Sequence, residues 1–349
     1  MTVDTIRVEE SAAETRAVAL DSSSRPIGLF ISRPFDAGRH ARWGEVVEAR
    51  IAKVSPAQGG AFLELASGEE AFLSSNSKAG LVEGRRLSVR IAAEARRDKL
   101  ARAAPTEGPV SADAPFDFWR AALPNGGDTS VVRTGPFDDL VEAAFEDALA
   151  PTNQIAGGGR LQIHRTPALT SFDIDTAGRD DRGSPAARAA AINVAAAGEA
   201  ARQMALRGLG GLVVIDCIGP IPRPFRDKAK LAFLEAHAAV SSANADALPA
   251  SRFGLLEASV EWRWRPVADT LLDETGGQSP ETELFEALRD AQREAASSPS
   301  QLYELKLTVS ARRAWRALNA EARASVANAL GPLIRLGETH RSKSVVDVI

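Results

Sequence analysis

An α/β core, with a small all-β module ahead of it and a small α+β tail behind it, is the fold class this sequence predicts. Three observations predict it. Short alternating strands occupy residues 42–100 with no helix between them; strands alternate with Ala-rich helices from residue 157 to about 240; and two helical patterns and an extended end close the chain. The 349 residues are enough for two or three domains.

Residues 1–26 are polar and are expected to be loosely ordered until the run Leu29-Phe30-Ile31. Val46, Val47, Ile51 and Val54 then lie in one strand, residues 61–65 in a second and 71–73 in a third, while 87–91 alternates with period two. Turns at Gly59-Gly60, Ser67-Gly68 and Glu83-Gly84 separate them, as in a small barrel or sandwich. Residues 103–115 have linker composition, and 101–154 hold nine Asp/Glu against three Arg. From Gly157, residues 161–164 and 168–175 read as strands, 186–206 as a helix stopped by Arg207-Gly208, 211–216 as a buried strand and 225–239 as a helix. Helical patterns follow at 281–295 and 312–330, then an extended 344–349.

Composition sets limits. With 44% hydrophobic and 25% charged residues the chain can build a packed core. A single cysteine, Cys217, excludes a disulfide framework and any multi-cysteine zinc or iron–sulfur site. A net charge of −4 and 5% aromatics, averaged over the chain, argue against nucleic acid. Residues 28–104, however, hold 13 Lys/Arg against nine Asp/Glu, so the all-β module is locally basic. No run reaches the roughly 18 apolar residues of a membrane span, and the acidic N-terminus lacks the pattern of a signal peptide. A soluble, cytoplasmic protein is expected.

The chemistry concentrates between 157 and 216. Alternation puts Ser171, Asp173 and Asp175 on one face of a strand, and Asp216 ends an otherwise apolar one. In an open α/β sheet ligands bind beyond the carboxyl ends of the strands, and acids meeting there repel unless a cation sits between them. A hard divalent ion held by one or two carboxylates and water is typical of Mg2+. An aspartate at a strand end is also a common turn former or helix cap, and spacing alone leaves both roles open.

Residues 157–175, Gly-Gly-Gly-Arg-Leu-Gln-Ile-His-Arg-Thr-Pro-Ala-Leu-Thr-Ser-Phe-Asp-Ile-Asp, resemble the core motif of the bacterial ribonuclease E/G family. So do the stretch from Asn193 through Glu199 to Asp216 and the block Ser251-Arg-Phe-Gly-Leu-Leu-Glu257. The resemblance implies that Asp173 and Asp216 are catalytic aspartates that bind Mg2+. Asp175 falls where the family usually has an Asn that orients the site, and Gly219 where it is usually acidic. Residues 42–102 look like the family's embedded S1-type RNA-binding barrel. Phe62 and Phe72 match its RNA-stacking phenylalanines, and Lys99 a basic RNA-contacting position. Arg223, Arg226, Lys228 and Lys230 open the helix after Asp216, where the family is basic too; they read as a phosphate-backbone track or as a solvated helix face. His164 reads as a strand-surface residue.

Two features of the family are missing. Its long 5′-sensor region is reduced to about 55 residues, in which Arg133 does not read as a phosphate sensor. Its paired zinc-link cysteines are absent from the segment Trp264 to Pro280. The fold class implied is thus an α/β catalytic core with an embedded small S1/OB-like β-barrel and a small α+β C-terminal domain. Its expected parts are a polar segment (1–26) joining the core, the barrel region (27–102), a shortened acidic remnant of the sensor region (103–154), the catalytic domain with the metal site (155–270) and the small domain (271–349). The expected function is that of a Mg2+-dependent endoribonuclease for single-stranded RNA, leaving a 5′ phosphate and a 3′ hydroxyl, as a monomer or a homodimer without a zinc link. Two other readings are a catalytically weak RNA-binding regulator on the same fold and a metal-dependent enzyme on small phosphates.

Overall fold

A computed structural model describes residues 2–11, 14–33, 40–74, 80–97, 99–110, 115–177, 179, 183–219, 221–339, 341 and 343–349. The described residues of 1–26 are not loosely ordered. Strands β1 (Val3–Glu10), β2 (Thr15–Asp21) and β3 (Pro26–Ser32) form an antiparallel meander. Its polar appearance hides buried charge: Glu9, Glu14 and Arg16 are buried together with Ile6, Val8, Val18 and Ile27.

The barrel is β4 (Val46–Ser55), β5 (Gly60–Leu65), β6 (Glu70–Ser74), β7 (Arg86–Ala93) and β8 (Ala101–Pro105), closed in the order β4-β5-β6-β8-β7. It therefore begins later than residue 27, since β3 belongs to the N-terminal sheet, and it runs past 102. Strand β8 falls where linker composition begins, yet its small residues Ala101 and Ala103 fill the barrel interior beside Leu63, Leu73 and Ile91.

The expected acidic remnant is built into the core instead. Helix α1 (Pro115–Ala122), strand β9 (Ser130–Thr134) and helix α2 (Asp139–Leu149) occupy it, and β9 extends the N-terminal sheet parallel to β1, giving the order β3-β2-β1-β9. Trp119 of α1 and Val141 and Phe145 of α2 are buried against that sheet. Its acids have local structural work. Asp138 caps α2 by accepting from Leu140 N at 3.0 Å, and Asp139 and Glu142 sit in the first turn, where the helix dipole favours negative charge. Arg133 on β9 pairs with Glu10 of β1.

The central sheet follows: β10 (Thr152–Gln154), β11 (Arg160–Arg165), β12 (Leu169–Asp175), helix α3 (Pro185–Leu206), β13 (Gly211–Asp216), helix α4 (Arg223–Val240), β14 (Ala245–Ala247) and β15 (Leu255–Val260). Its order is β10-β11-β12-β13-β15-β14, and only β12 and β13 run parallel. The α3 crossover between them is the βαβ unit expected from the pattern. One face, bearing Leu161, Ile163, Phe172, Ile174, Val213 and Ile215, packs on Ile192, Ala196 and Ala200 of α3 and Phe233 of α4. The other face carries Arg160, Asp173, Asp216 and Glu257, all exposed.

Helices α5 (Val267–Leu271) and α6 (Pro280–Ser297), strand β16 (Tyr303–Leu307), helices α7 (Val309–Ala317) and α8 (Ala320–Leu330), and strands β17 (Ile334–Glu338) and β18 (Val345–Val348) complete the chain. The pattern at 312–330 is two helices, not one, because Asn319 accepts from Ala322 N at 2.7 Å and starts α8 as its cap. Leu284, Phe285 and Leu288 of α6 pack with Leu305 and Val326 in a separate small core. The small domain is tied to the N-terminal sheet through buried charge: Arg289 of α6 lies 3.5 Å from Glu14 and 3.3 Å from Glu9.

Candidate active site

Parallel pairing of β12 with β13 places Asp173 directly opposite Asp216. Register partners on neighbouring strands stand about 4.8 Å apart and point to the same side. Both carboxylates therefore leave the carboxyl end of the only parallel pair in the sheet, on the face that α3 and α4 leave open, and both are exposed. Gln162 of β11 flanks Asp173 in this row and Leu255 of β15 flanks Asp216. One pleat away, Glu257 pairs with Val214 on the same face.

Asp175 shares the face of Asp173 and lies opposite Arg160. Its Oδ1 accepts from Ala177 N at 2.9 Å, so one oxygen shapes the turn that leaves β12. Close behind, Gly159 has φ +88° and its backbone passes so near that a Cβ there would stand 2.8 Å from the Asp175 carbonyl oxygen. Arg179 Nη1 donates to the carbonyls of Ala156 and Gly158 at 2.8 and 3.0 Å and holds this glycine run in place.

Among the described residues no group of three or more His, Cys, Asp and Glu is gathered as a metal cluster. Asp173 and Asp216 are a hard, all-oxygen pair with solvent beside them, the donor set that suits Mg2+ completed by water. Among the described residues neither a thiol nor an imidazole is gathered with them. Burial pushes the Cys217 thiol up to about 11, with the Asp216 charge acting in the same direction, so it is no thiolate nucleophile. Burial, and to a lesser degree Arg263, holds His237 near 4, and it stacks on Phe233 inside the core. His164 is exposed on β11.

Asn193 is buried on α3 and clamps the chain that leaves β13. Its Nδ2 donates to Ile218 O at 2.9 Å and its Oδ1 accepts from Ile218 N at 2.8 Å, fixing the backbone two residues beyond Asp216. No local signal marks it, because its partner is 25 residues away. Arg223 and Lys228 are exposed on the first two turns of α4, whose N-terminus attracts anions. Arg226 turns back, its Nε reaching Ile221 O at 3.4 Å, and Lys228 Nζ lies 4.9 Å from the Phe225 ring centre.

On the barrel, Phe62 and Phe72 are cross-strand partners with ring centres 5.4 Å apart and edge-to-face. Register extends the row on both sides, to Lys53 on β4 and Arg102 on β8, both exposed and both missed in the sequence. Lys99 lies off this row. It bridges to Arg96 at the lip of a cavity of about 580 Å³ between the barrel and the central sheet, lined also by Arg165, Leu212 and Trp262. There Arg96 stacks 4.0 Å from the Trp262 ring centre, and Arg165 is paired with Asp269.

The model of the Ribonuclease E/G family matches residues 137–261, a segment that contains α2, the whole central sheet, Asp173, Asp216 and Asn193 but not the barrel. Ribonuclease E of Escherichia coli is 36% identical over 123 residues, which are 34% of this chain and 11% of that protein. Ribonuclease E of Haemophilus influenzae is 37% identical over 123 residues, 34% and 13% of the two chains. A chloroplastic ribonuclease E/G-like protein of Arabidopsis thaliana is 36% identical over 87 residues, 24% and 9% of the two chains. These matches span about a tenth of the length of the curated relatives. A solved multidomain protein with nucleic acid binding domains from Streptococcus pneumoniae aligns at 9% identity over 32% of this chain and 44% of that one, with a TM-score of 0.18. No helix among the described residues is long and apolar enough to cross a membrane. Residues 137–261, which hold the paired aspartates and helix α3, are thus similar to the Ribonuclease E/G family, and the similarity covers about a third of the chain.

Proposed function

We propose that the chain is a Mg2+-dependent endoribonuclease acting on single-stranded RNA. The observation that carries this is the in-register pair Asp173–Asp216, exposed at the carboxyl end of the parallel strands, inside the segment that matches the family. Asp173 and Asp216 would hold the ion, and Asp175 orients the chain that leaves β12. When bound there, Mg2+ would supply a water of lowered pKa and offset charge on the phosphodiester. Attack of water oxygen on phosphorus breaks the P–O3′ bond and leaves a 5′ phosphate and a 3′ hydroxyl. Arg223 and Lys228 hold the RNA backbone on one side, with Arg226 bracing the helix start that carries them. Phe62 and Phe72 stack bases on the barrel, and Lys99 meets the strand between barrel and sheet.

The test is cleavage of a short single-stranded RNA with Mg2+ by the wild-type chain, Asp173→Asn and Asp216→Asn. Cleavage that is Mg2+-dependent in the wild type and lost in both variants is expected; equal cleavage by all three would overturn the site. One observation favours a second reading, an RNA-binding regulator with little turnover. At position 175 an Asp accepts the turn hydrogen bond but supplies none of the donors of an Asn amide. That reading predicts intact RNA in the same assay together with salt-sensitive binding.

A further inference from the structure

Phe253 is, at 76%, the most exposed of the large hydrophobic side chains among the described residues. It does not sit on a floppy loop. Ser251 N donates to Leu255 O at 2.8 Å, Gly254 N donates to Ser251 O at 3.1 Å, and Ser251 Oγ accepts from Phe253 N at 3.2 Å. This tight turn is clamped to the end of β13, since Cys217 N, next to Asp216, donates to Gly254 O at 2.9 Å. Gly254 has φ +90°, and a Cβ there would stand 3.2 Å from the Cys217 carbonyl oxygen, so glycine is what permits the approach. On its other side the turn meets α4, where Ala250 N donates to Arg226 O at 3.3 Å.

These contacts fix the ring's place. Phe253 is two residues from Leu255, at most about 7 Å along an extended chain, and Leu255 is the register partner of Asp216, about 4.5–5.5 Å away. The Phe253 backbone therefore lies within about 13 Å of Asp216, beyond the strand ends, where ligands of such sheets bind. Its neighbours are cationic. The Arg252 guanidinium lies 4.7 Å from its ring centre, and Arg223 and Lys228 are exposed on the helix that the turn touches. A single flat ring rimmed by cations suits a nucleobase with its phosphates far better than an apolar protein surface.

We propose that Phe253 is a base-stacking subsite for the nucleotide beside the scissile phosphate of a single-stranded RNA. This rests on the ribonuclease reading above. It adds a residue from the Ser251–Glu257 block whose role neither composition nor spacing indicated.

The test is equilibrium binding by fluorescence anisotropy, with metal removed by EDTA so that nothing is cleaved. The ligand is a series of short single-stranded RNAs, each lacking one base. The wild-type chain is expected to lose affinity about 5- to 150-fold when one particular base is missing, the worth of one stacked base. Phe253→Ala should lose as much on the intact RNA and be indifferent to that missing base, while Phe253→Trp should keep the wild-type pattern. If Phe253→Ala binds the whole series as the wild type does, the subsite is overturned and the ribonuclease reading stands. If no protein of the set binds RNA, both fall.

Discussion

Asp173 stands opposite Asp216 across the β12–β13 pair because α3 brings the two strands back parallel and in register. Both carboxylates face solvent, where like charges are tolerated. Replacing either with Asn should therefore leave the fold as stable as before. Cleavage should fall on the order of 10²–10³-fold, the scale of removing one electrostatic contact to a reacting group. Single-turnover cleavage set beside urea unfolding separates the two effects, and a variant that loses activity only by unfolding would sink the assignment.

Asn193 makes a different prediction because it touches no substrate. Asn193→Ala leaves the Ile218 N–H and C=O without their partners and should cost about 1–3 kcal/mol in urea unfolding. Since Ile218 follows Asp216 by two residues, kcat should fall more than KM rises. An unchanged kcat at full folding would show that the clamp serves stability alone.

The barrel row Lys53–Phe62–Phe72–Arg102 divides into rings and charges. Phe72→Ala should weaken single-stranded RNA binding by about 1–3 kcal/mol at any salt concentration. Lys53→Ala and Arg102→Ala should each lower the slope of log affinity against log salt by about one. Binding isotherms between 50 and 300 mM salt read both. A row that serves only as barrel surface would leave all three variants at wild-type affinity.

What was legible in the sequence follows from which interactions are local. The faces of β12 and β13 could be read because period two is a local property, and Asp173, Asp175 and Asp216 duly share the open face. Their register could not, since a 22-residue helix and its loops decide it. The N-terminal strands looked polar because Glu9, Glu14 and Arg16 are buried as ion pairs, and a charge reads as surface until its partner is known. Strand β8 is hard to read because Ala-Arg-Ala-Ala-Pro lacks β-branched residues, although Ala101 and Ala103 fit the barrel interior beside its larger side chains. The resemblance implies an RNA contact for Lys99 without saying where it sits; register puts Lys53 and Arg102 in the row of the phenylalanines and Lys99 at the cavity between barrel and sheet.

Glu14 links acid stability to the joint between the N-terminal sheet and the small domain. Burial alone would raise its pKa, but Arg16 at 2.5 Å, Arg33 at 2.8 Å and Arg289 at 3.5 Å overcome that and hold it near 2. A carboxylate with a depressed folded-state pKa stabilises the protein fully above its unfolded value, 4.5 here. That contribution, about 3 kcal/mol, is lost progressively as pH falls from 4.5 towards 2. Glu14→Gln should thus unfold at lower urea than the wild type at pH 7, by about 3–5 kcal/mol, because three buried arginines lose their shared counter-charge. Its stability should also fall less steeply than that of the wild type between pH 5 and 3. Urea midpoints over that range are the measurement, and parallel acid limbs for the two proteins would show that Glu14 is not the group that titrates.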